Sequence, residues 1–278
     1  DGSFMNYWIV ISFGFFLMIF VGVGLLSTLR HKTTTEDYLL AGRNVSPWLV
    51  ALSAIATWNS GFMFIGMIGL TYTLGLSAMW LAVGWLVGDS LMSSFVHARL
   101  RNTSEKQKTL TYAGVLSTWH GTDYRKVRMV GGIVTLLFLG AYAAAQLNAG
   151  SKALYVLFGW DYSLGAIIGC VMVVAYCFAG GIRASIWTDA AQSIVMILAM
   201  ALLAVTSVAS FGGVGGFVEA LYAVSPTYMN IFPPDMAWGP VLGPLMFVMG
   251  WLFSGFSVIG QPHVMVRFMS MDSAENMG

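Results

Sequence analysis

The sequence predicts an all-α integral membrane protein, on three observations. Of its 278 residues, 58% are hydrophobic and only 9% charged, whereas a soluble domain carries about a quarter charged residues. Seven apolar stretches each supply the roughly 20 residues that a helix needs to cross a hydrocarbon core about 30 Å thick. The basic residues are also segregated among the connections between those stretches, as they are in multi-pass membrane proteins.

The stretches run at about 6–29, 48–74, 76–97, 128–157, 162–180, 186–210 and 240–263, and they make a single transmembrane domain of residues 1–278. The first has no basic leader, and its apolar run exceeds the roughly 7–15 residues of a signal peptide, so it reads as a retained span. If the spans alternate, twelve basic residues fall on one side: Arg30, Lys32, Arg43, Arg99, Arg101, Lys106, Lys108, Arg125, Lys126, Arg128, Arg183 and Arg267. Lys152 alone falls on the other. The positive-inside rule makes the first side cytoplasmic and puts the N-terminus outside a multi-pass protein of the cytoplasmic membrane.

The connections differ in character. Residues 109–119 read as a short amphipathic helix lying at the cytoplasmic interface. Residues 211–239, with Gly212, Gly213, Gly215, Gly216, Pro226, Pro233 and Pro234, read as an irregular outer loop with short helices. Trp8, Trp48, Trp80, Trp160 and Trp238 fall near the expected membrane boundaries. With 13 basic and 12 acidic residues the net charge is +1, and no basic surface argues for nucleic acid; the partner of this surface is the lipid bilayer. Cys170 and Cys177 lie about 10 Å apart along one helix, too far for a disulfide.

Span two carries Ala56-Thr57-Trp58-Asn59-Ser60-Gly61 in the middle of its apolar run. Irregular backbone survives at membrane depth only where it lines a cavity. A helix broken here exposes carbonyls such as those of Ala56 and Asn59 to a hard cation and offers amides to a carboxylate. The alternative is an intact helix packed through its small residues Ser60, Gly61, Gly66 and Gly69. Span seven holds Trp251, Ser254, Gly255, Ser257, Gly260, Gln261, Pro262 and His263, and its proline kinks the helix and frees carbonyls. His263 lies near the cytoplasmic edge and reads as a structural interface residue rather than a proton carrier.

Asp89 lies well inside span three, where a carboxylate must face water or find a partner. It is either a functional group or half of a structural pair with a hydroxyl or an indole on a neighbouring helix. Asp189 reads as a helix cap. In span four, Tyr142 and Gln146 share a helix face, beside Asn148; they either line a solute path or bond to another helix. No nucleophile and base are paired at useful spacing, so the chain does not read as an enzyme.

Three blocks of residues resemble the sodium/solute symporter family, and within it the sodium/proline branch. They are Asp37-Tyr38 with Gly42-Arg43; Gly180-Gly181, Ala184, Trp187-Thr188-Asp189 and Gln192; and Gly260-Gln261-Pro262-His263 with Arg267-Phe268-Met269. The resemblance implies one extra span followed by the five-helix first inverted repeat of a broken-helix symporter fold, then the first helix of the second repeat. Spans two and seven would be the broken helices. Sodium, as coupling ion, would take the backbone carbonyls of Ala56 and Asn59. A small polar solute, an amino acid such as proline or a small carboxylate, would bind near Thr57, Trp58, Ser60, Gly61, Tyr142, Gln146, Trp251, Ser257 and Gln261. The chain departs from the proline branch at Trp58, where that branch has an acidic residue. The resemblance also implies that the remaining C-terminal helices of a parent chain supply the missing sodium ligands. The implied activity is sodium-coupled symport by alternating access; the alternative is the solute-sensing membrane domain of a sensor histidine kinase.

Overall fold

Hydrocarbon offers no hydrogen bonds, so a chain that enters it closes its backbone on itself as helix. A computed structural model describes residues 2–30 and 32–277, and they are almost wholly helical. The helices are α1 (Gly2–Ser27), α2 (Thr35–Leu40), α3 (Pro47–Trp58), α4 (Gly61–Phe64), α5 (Gly66–Leu74), α6 (Met79–Lys106), α7 (Tyr112–Ser117), α8 (Arg125–Phe158), α9 (Tyr162–Ser210), α10 (Val214–Val224), α11 (Gly239–Phe256) and α12 (Pro262–Met269). Five described stretches are long and apolar enough to cross a membrane: Tyr7–Arg30, Gly66–Lys106, Arg125–Phe158, Tyr162–Ser210 and Gly239–Gly260.

Several expected elements take a different form. The stretch drawn at 48–74 is divided into α3, α4 and α5. The stretches drawn at 162–180 and 186–210 lie on the single run α9, interrupted only at Gly181, whose backbone is left-handed (φ 57°, ψ −146°). The helix expected over 109–119 covers only Tyr112–Ser117. Thr111 starts it by accepting the Gly114 amide. A hairpin of β1 (Thr118–Trp119) and β2 (Thr122–Asp123) ends it, turning on His120 and Gly121, both with positive φ. Asp189 is not a cap, because α9 does not restart beside it; the residue that caps α9 is Asp161, which accepts the Ser163 amide at 2.9 Å. Bonds from Ser163 hold the exposed Asp161 carboxyl below the usual carboxylate range.

The chain divides into two units. The first comprises residues 1–61, 97–193 and 262–278. Its apolar core is Ala41, Val45, Val50, Ile186 and Met271, flanked by Leu49, Ile182 and Phe268. Val45 exchanges backbone hydrogen bonds with the strand-like segment 270–272: its amide donates to Ser270 at 3.2 Å and its carbonyl accepts from Asp272 at 3.0 Å. Around this core four arginines are buried, and their donors are answered mainly by backbone oxygens and carboxylates. Arg183 donates to Asp37 Oδ1 at 2.5 Å and to the Ala41 carbonyl at 2.8 Å. Arg43 reaches Ser104 Oγ, the carbonyls of Ser104, Thr109 and Met269, and Glu36. Arg101 holds the carbonyls of Met271 and Asp272 and the carboxylate of Glu105. Arg267 donates to Ser53 Oγ and Asp189 Oδ2, each at 2.7 Å, and to the His263 carbonyl.

These contacts explain a costly local conformation. Ala41, Gly42 and Arg43 are all left-handed, with φ of 53°, 62° and 51°. Only glycine adopts that region freely, and other residues are strained by roughly 1–3 kcal/mol. The turn persists because the Arg183 guanidinium holds the Ala41 carbonyl and Arg43 has its own side chain locked among fixed oxygens.

The second unit comprises residues 62–96 and 194–261. Its α6 and α11 approach backbone to backbone through glycine. A Cβ on Gly255 would stand 2.6 Å from the Gly84 carbonyl oxygen and 2.9 Å from Gly88 Cα. Trp85 fixes the same pair by donating its indole N–H to Ser254 Oγ at 2.7 Å. The expected loop at 211–239 contains the helix α10, and its later part bonds back across the unit: the Leu76 amide donates to the Tyr228 carbonyl at 2.8 Å, and Trp80 Nε1 donates to the Ile231 carbonyl at 2.9 Å.

Asp37 is 1% exposed, so Asp37→Ala leaves Arg183 buried without its carboxylate, a change that costs about 3–5 kcal/mol. The expected outcome is a clear fall in the melting temperature of the detergent-solubilised protein. Gly181→Ala should be worse tolerated than Gly169→Ala. The first sets a Cβ 2.9 Å from Tyr38 Cδ2 at a positive φ, whereas the second meets nothing nearer than Leu147 Cδ2 at 3.5 Å. Monodispersity on size exclusion would compare them.

Candidate functional site

An unbroken helix would carry the amides of Ser60 and Gly61 to the carbonyls of Ala56 and Thr57, four residues back. Neither bond forms. The Asn59 amide still reaches the Ile55 carbonyl at 3.1 Å, and Asn59 Nδ2 donates to the same oxygen at 2.9 Å, closing the end of α3. The Ser60 amide then turns to the Trp58 carbonyl at 2.8 Å. The Gly61 amide leaves the helix altogether and donates to Gln146 Oε1 on α8 at 2.6 Å. The consequence is that the carbonyls of Ala56 and Thr57 lose the donors that a helix would give them. Carbonyl oxygens of this kind are hard donors, the type suited to a hard cation.

The residues singled out from the sequence fall as follows. Thr57, Trp58, Ser60, Gly61, Tyr142 and Gln146, with Ala56 and Asn59, belong to the first unit. Thr57 turns its hydroxyl back to the Ser53 carbonyl at 2.7 Å. The Trp58 indole N–H is buried with no hydrogen-bond partner. Tyr142, one turn before Gln146, packs its ring against His263 with centroids 5.2 Å apart, so His263 serves packing there. Trp251, Ser257 and Gln261 belong to the second unit. There Trp251 packs edge-on to Phe247, and Ser257 donates to the Ser254 carbonyl on its own helix at 2.7 Å. Asp89 accepts from Ser93, one turn along its own helix, at 3.3 Å, not from a neighbouring helix.

Sequence reasoning missed one arrangement, the triad of Ser53, Asp189 and Arg267. Ser53 Oγ donates to Asp189 Oδ2 at 2.7 Å and accepts from Arg267 Nε at 2.7 Å, while Arg267 Nη2 closes the ring on Asp189 at 2.7 Å. It ties together α3, α9 and α12. The signal was present, since Asp189 and Arg267 lie in two of the three recognised blocks. Taken separately, one reads as a cap and the other as a topological charge.

Comparison with known proteins shows what the chain resembles in sequence and in fold. The profile described as "Sodium:solute symporter family" matches residues 38–277. The chain is 32% identical over 256 residues to the high-affinity proline transporter PutP of Bacillus subtilis (strain 168), covering 91% of this chain and 52% of that one. It is 33% identical over 261 residues to the sodium/proline symporter of Salmonella typhimurium, covering 93% and 50%. The chain thus spans about half the length of the curated relatives it matches. In structure it is similar over its whole length to a Na+-coupled sialic acid symporter solved in a substrate-bound outward-open state, with a TM-score of 0.78 at 20% identity, covering 56% of that chain. That likeness is one of fold. These relatives are transporters, not enzymes, and the apolar helices make this chain a multi-pass membrane protein. It belongs to the sodium:solute symporter family.

Proposed function

We propose that this chain is the first half of a symporter that uses a sodium gradient to move a small polar solute, an amino acid such as proline or a small carboxylate, across the cytoplasmic membrane. The observation that carries the reading is the break at Trp58–Gly61, which strips the Ala56 and Thr57 carbonyls of their helical donors in a chain whose relatives include sodium/proline symporters. Sodium binds at the carbonyls of Ala56 and Asn59. Solute binds beside Thr57, Trp58, Ser60 and Tyr142, with the Trp58 indole N–H as a donor not yet used within the protein. Further helices beyond this chain complete the sodium shell.

Helix lengths and the broken run α3–α5 together support seven crossings: α1, α3–α5, α6, α8, the two halves of α9, and α11. The 49 residues of α9 measure about 73 Å at 1.5 Å per residue, more than twice a hydrocarbon core, so we assign its halves on either side of Gly181 to separate crossings. With the N-terminus outside, the twelve basic residues, including the four buried arginines, lie toward the cytoplasm. Coupling follows from alternating access: sodium binds one conformation better, and the solute site is completed in that conformation.

The test is uptake of radiolabelled proline, other amino acids and small carboxylates into proteoliposomes by the full-length protein, under an imposed sodium gradient with a potassium control. Accumulation that requires the sodium gradient is the expected result, and solute binding without accumulation would overturn it. Ser60→Leu should weaken solute affinity at least tenfold while leaving membrane insertion and melting temperature close to wild type.

A further inference from the structure

The break in the first broken helix has a specific cause. Its sequence, Trp58-Asn59-Ser60-Gly61, contains no proline, so every residue could in principle donate to a carbonyl four residues back. Gly61 costs the helix only about 1 kcal/mol relative to Ala. What the backbone lacks is a reason for the Gly61 amide to leave Thr57, and that reason is supplied from α8. The Gln146 carboxamide oxygen accepts this amide at 2.6 Å. Gly61 is also the residue that lets α8 come this close, because a Cβ there would stand 2.5 Å from Ala149 Cβ and 3.2 Å from Gln146 Oε1. Gln146 and Ala149 are three apart and present the same face of α8. A glutamine suits the place because it offers a strong acceptor without bringing a charge to membrane depth.

We infer that Gln146 is a positioning residue: its oxygen takes the amide proton that would close the next helical turn onto Thr57, and so holds the helix open with the Ala56 and Thr57 carbonyls free. This departs from reading Gln146 as a solute ligand, since its oxygen is engaged by the protein itself. Its consequence for sodium rests on the function proposed above; the clamp itself does not.

The test uses the full-length protein in proteoliposomes, with Gln146→Leu, Gln146→Glu, Gly61→Ala and the double variant Gly61→Ala/Ala149→Gly. Three quantities are read: the sodium concentration and the solute concentration at half-maximal uptake, and amide hydrogen exchange in the segment 55–64 without sodium or solute. Gln146→Leu should raise the half-saturating sodium concentration roughly fivefold or more, the loss expected for one hydrogen bond, and change exchange in 55–64 severalfold. Gln146→Glu keeps an acceptor and should restore the exchange in 55–64. Gly61→Ala should behave like Gln146→Leu, and removing the Ala149 methyl should bring it back toward wild type.

Wild-type exchange and sodium dependence in Gln146→Leu would overturn the inference. So would a higher solute requirement with unchanged sodium dependence, which would make Gln146 a solute ligand. If Gln146→Leu does not assemble, the Gly61 pair decides, and a double variant no nearer wild type than the single one overturns it. Altered exchange in Gln146→Leu, in a protein that shows no sodium-driven uptake, would uphold the clamp and remove the symport reading instead.

Discussion

A polar group taken from water must be answered by another, and the cost of leaving it unanswered is several kcal/mol in hydrocarbon. In this chain that constraint is met in two opposite ways. Around the core of the first unit it is largely met: Arg43, Arg101, Arg183 and Arg267 are each held by fixed oxygens, backbone carbonyls together with carboxylates and hydroxyls. At the end of α3 it is deliberately left incomplete, with carbonyls deprived of their helical donors. A site for a bare cation needs such a deficit, and the surrounding structure must be rigid enough to prevent the helix from repairing itself.

Rigidity on this side comes from the triad of Ser53, Asp189 and Arg267. Ser53 lies on α3 one turn before Thr57, and it is bonded to both ends of an ion pair between α9 and α12. The last turn of α3 is therefore held from outside while the Ala56 and Thr57 carbonyls stay without their helical donors. The planar guanidinium suits this role, since its fork can serve a hydroxyl and a carboxylate at once, which an ammonium cannot do in fixed geometry.

Much of this was legible in the sequence, and the limits have physical reasons. Apolar length and charge segregation reveal membrane helices because the bilayer is a simple solvent with one dominant requirement. The polar cluster at 56–61 pointed to an interruption for the same reason, and the structure divides α3 from α4 there. What composition could not reveal is which distant residue answers which group. Gln146 stood out as a polar residue in an apolar span, but its partner lies 85 positions away. Asp189 reads locally as a cap because aspartate is favoured at helix N-caps; its partner, Arg267, is 78 positions on. The hairpin at 118–123 was hidden behind a helical pattern, and only the left-handed pair His120 and Gly121 distinguishes it. Pairings across long sequence separations are decided by packing, which no periodicity encodes.

The reach of Arg43 also bears on how the protein is made. Its guanidinium donates to the carbonyl of Met269, 226 residues later, and the neighbouring Val45 is zipped to 270–272. At about 5–20 residues per second, a ribosome delivers that partner on the order of 10–45 s after Arg43 has emerged. During this interval the left-handed turn at 41–43 lacks one of its supports, and the first unit is open along the edge that Met271 later covers. Nascent chains stalled before residue 269 should thus be favoured substrates for membrane quality control, and assembly of this unit is a late event that follows insertion of the helices between.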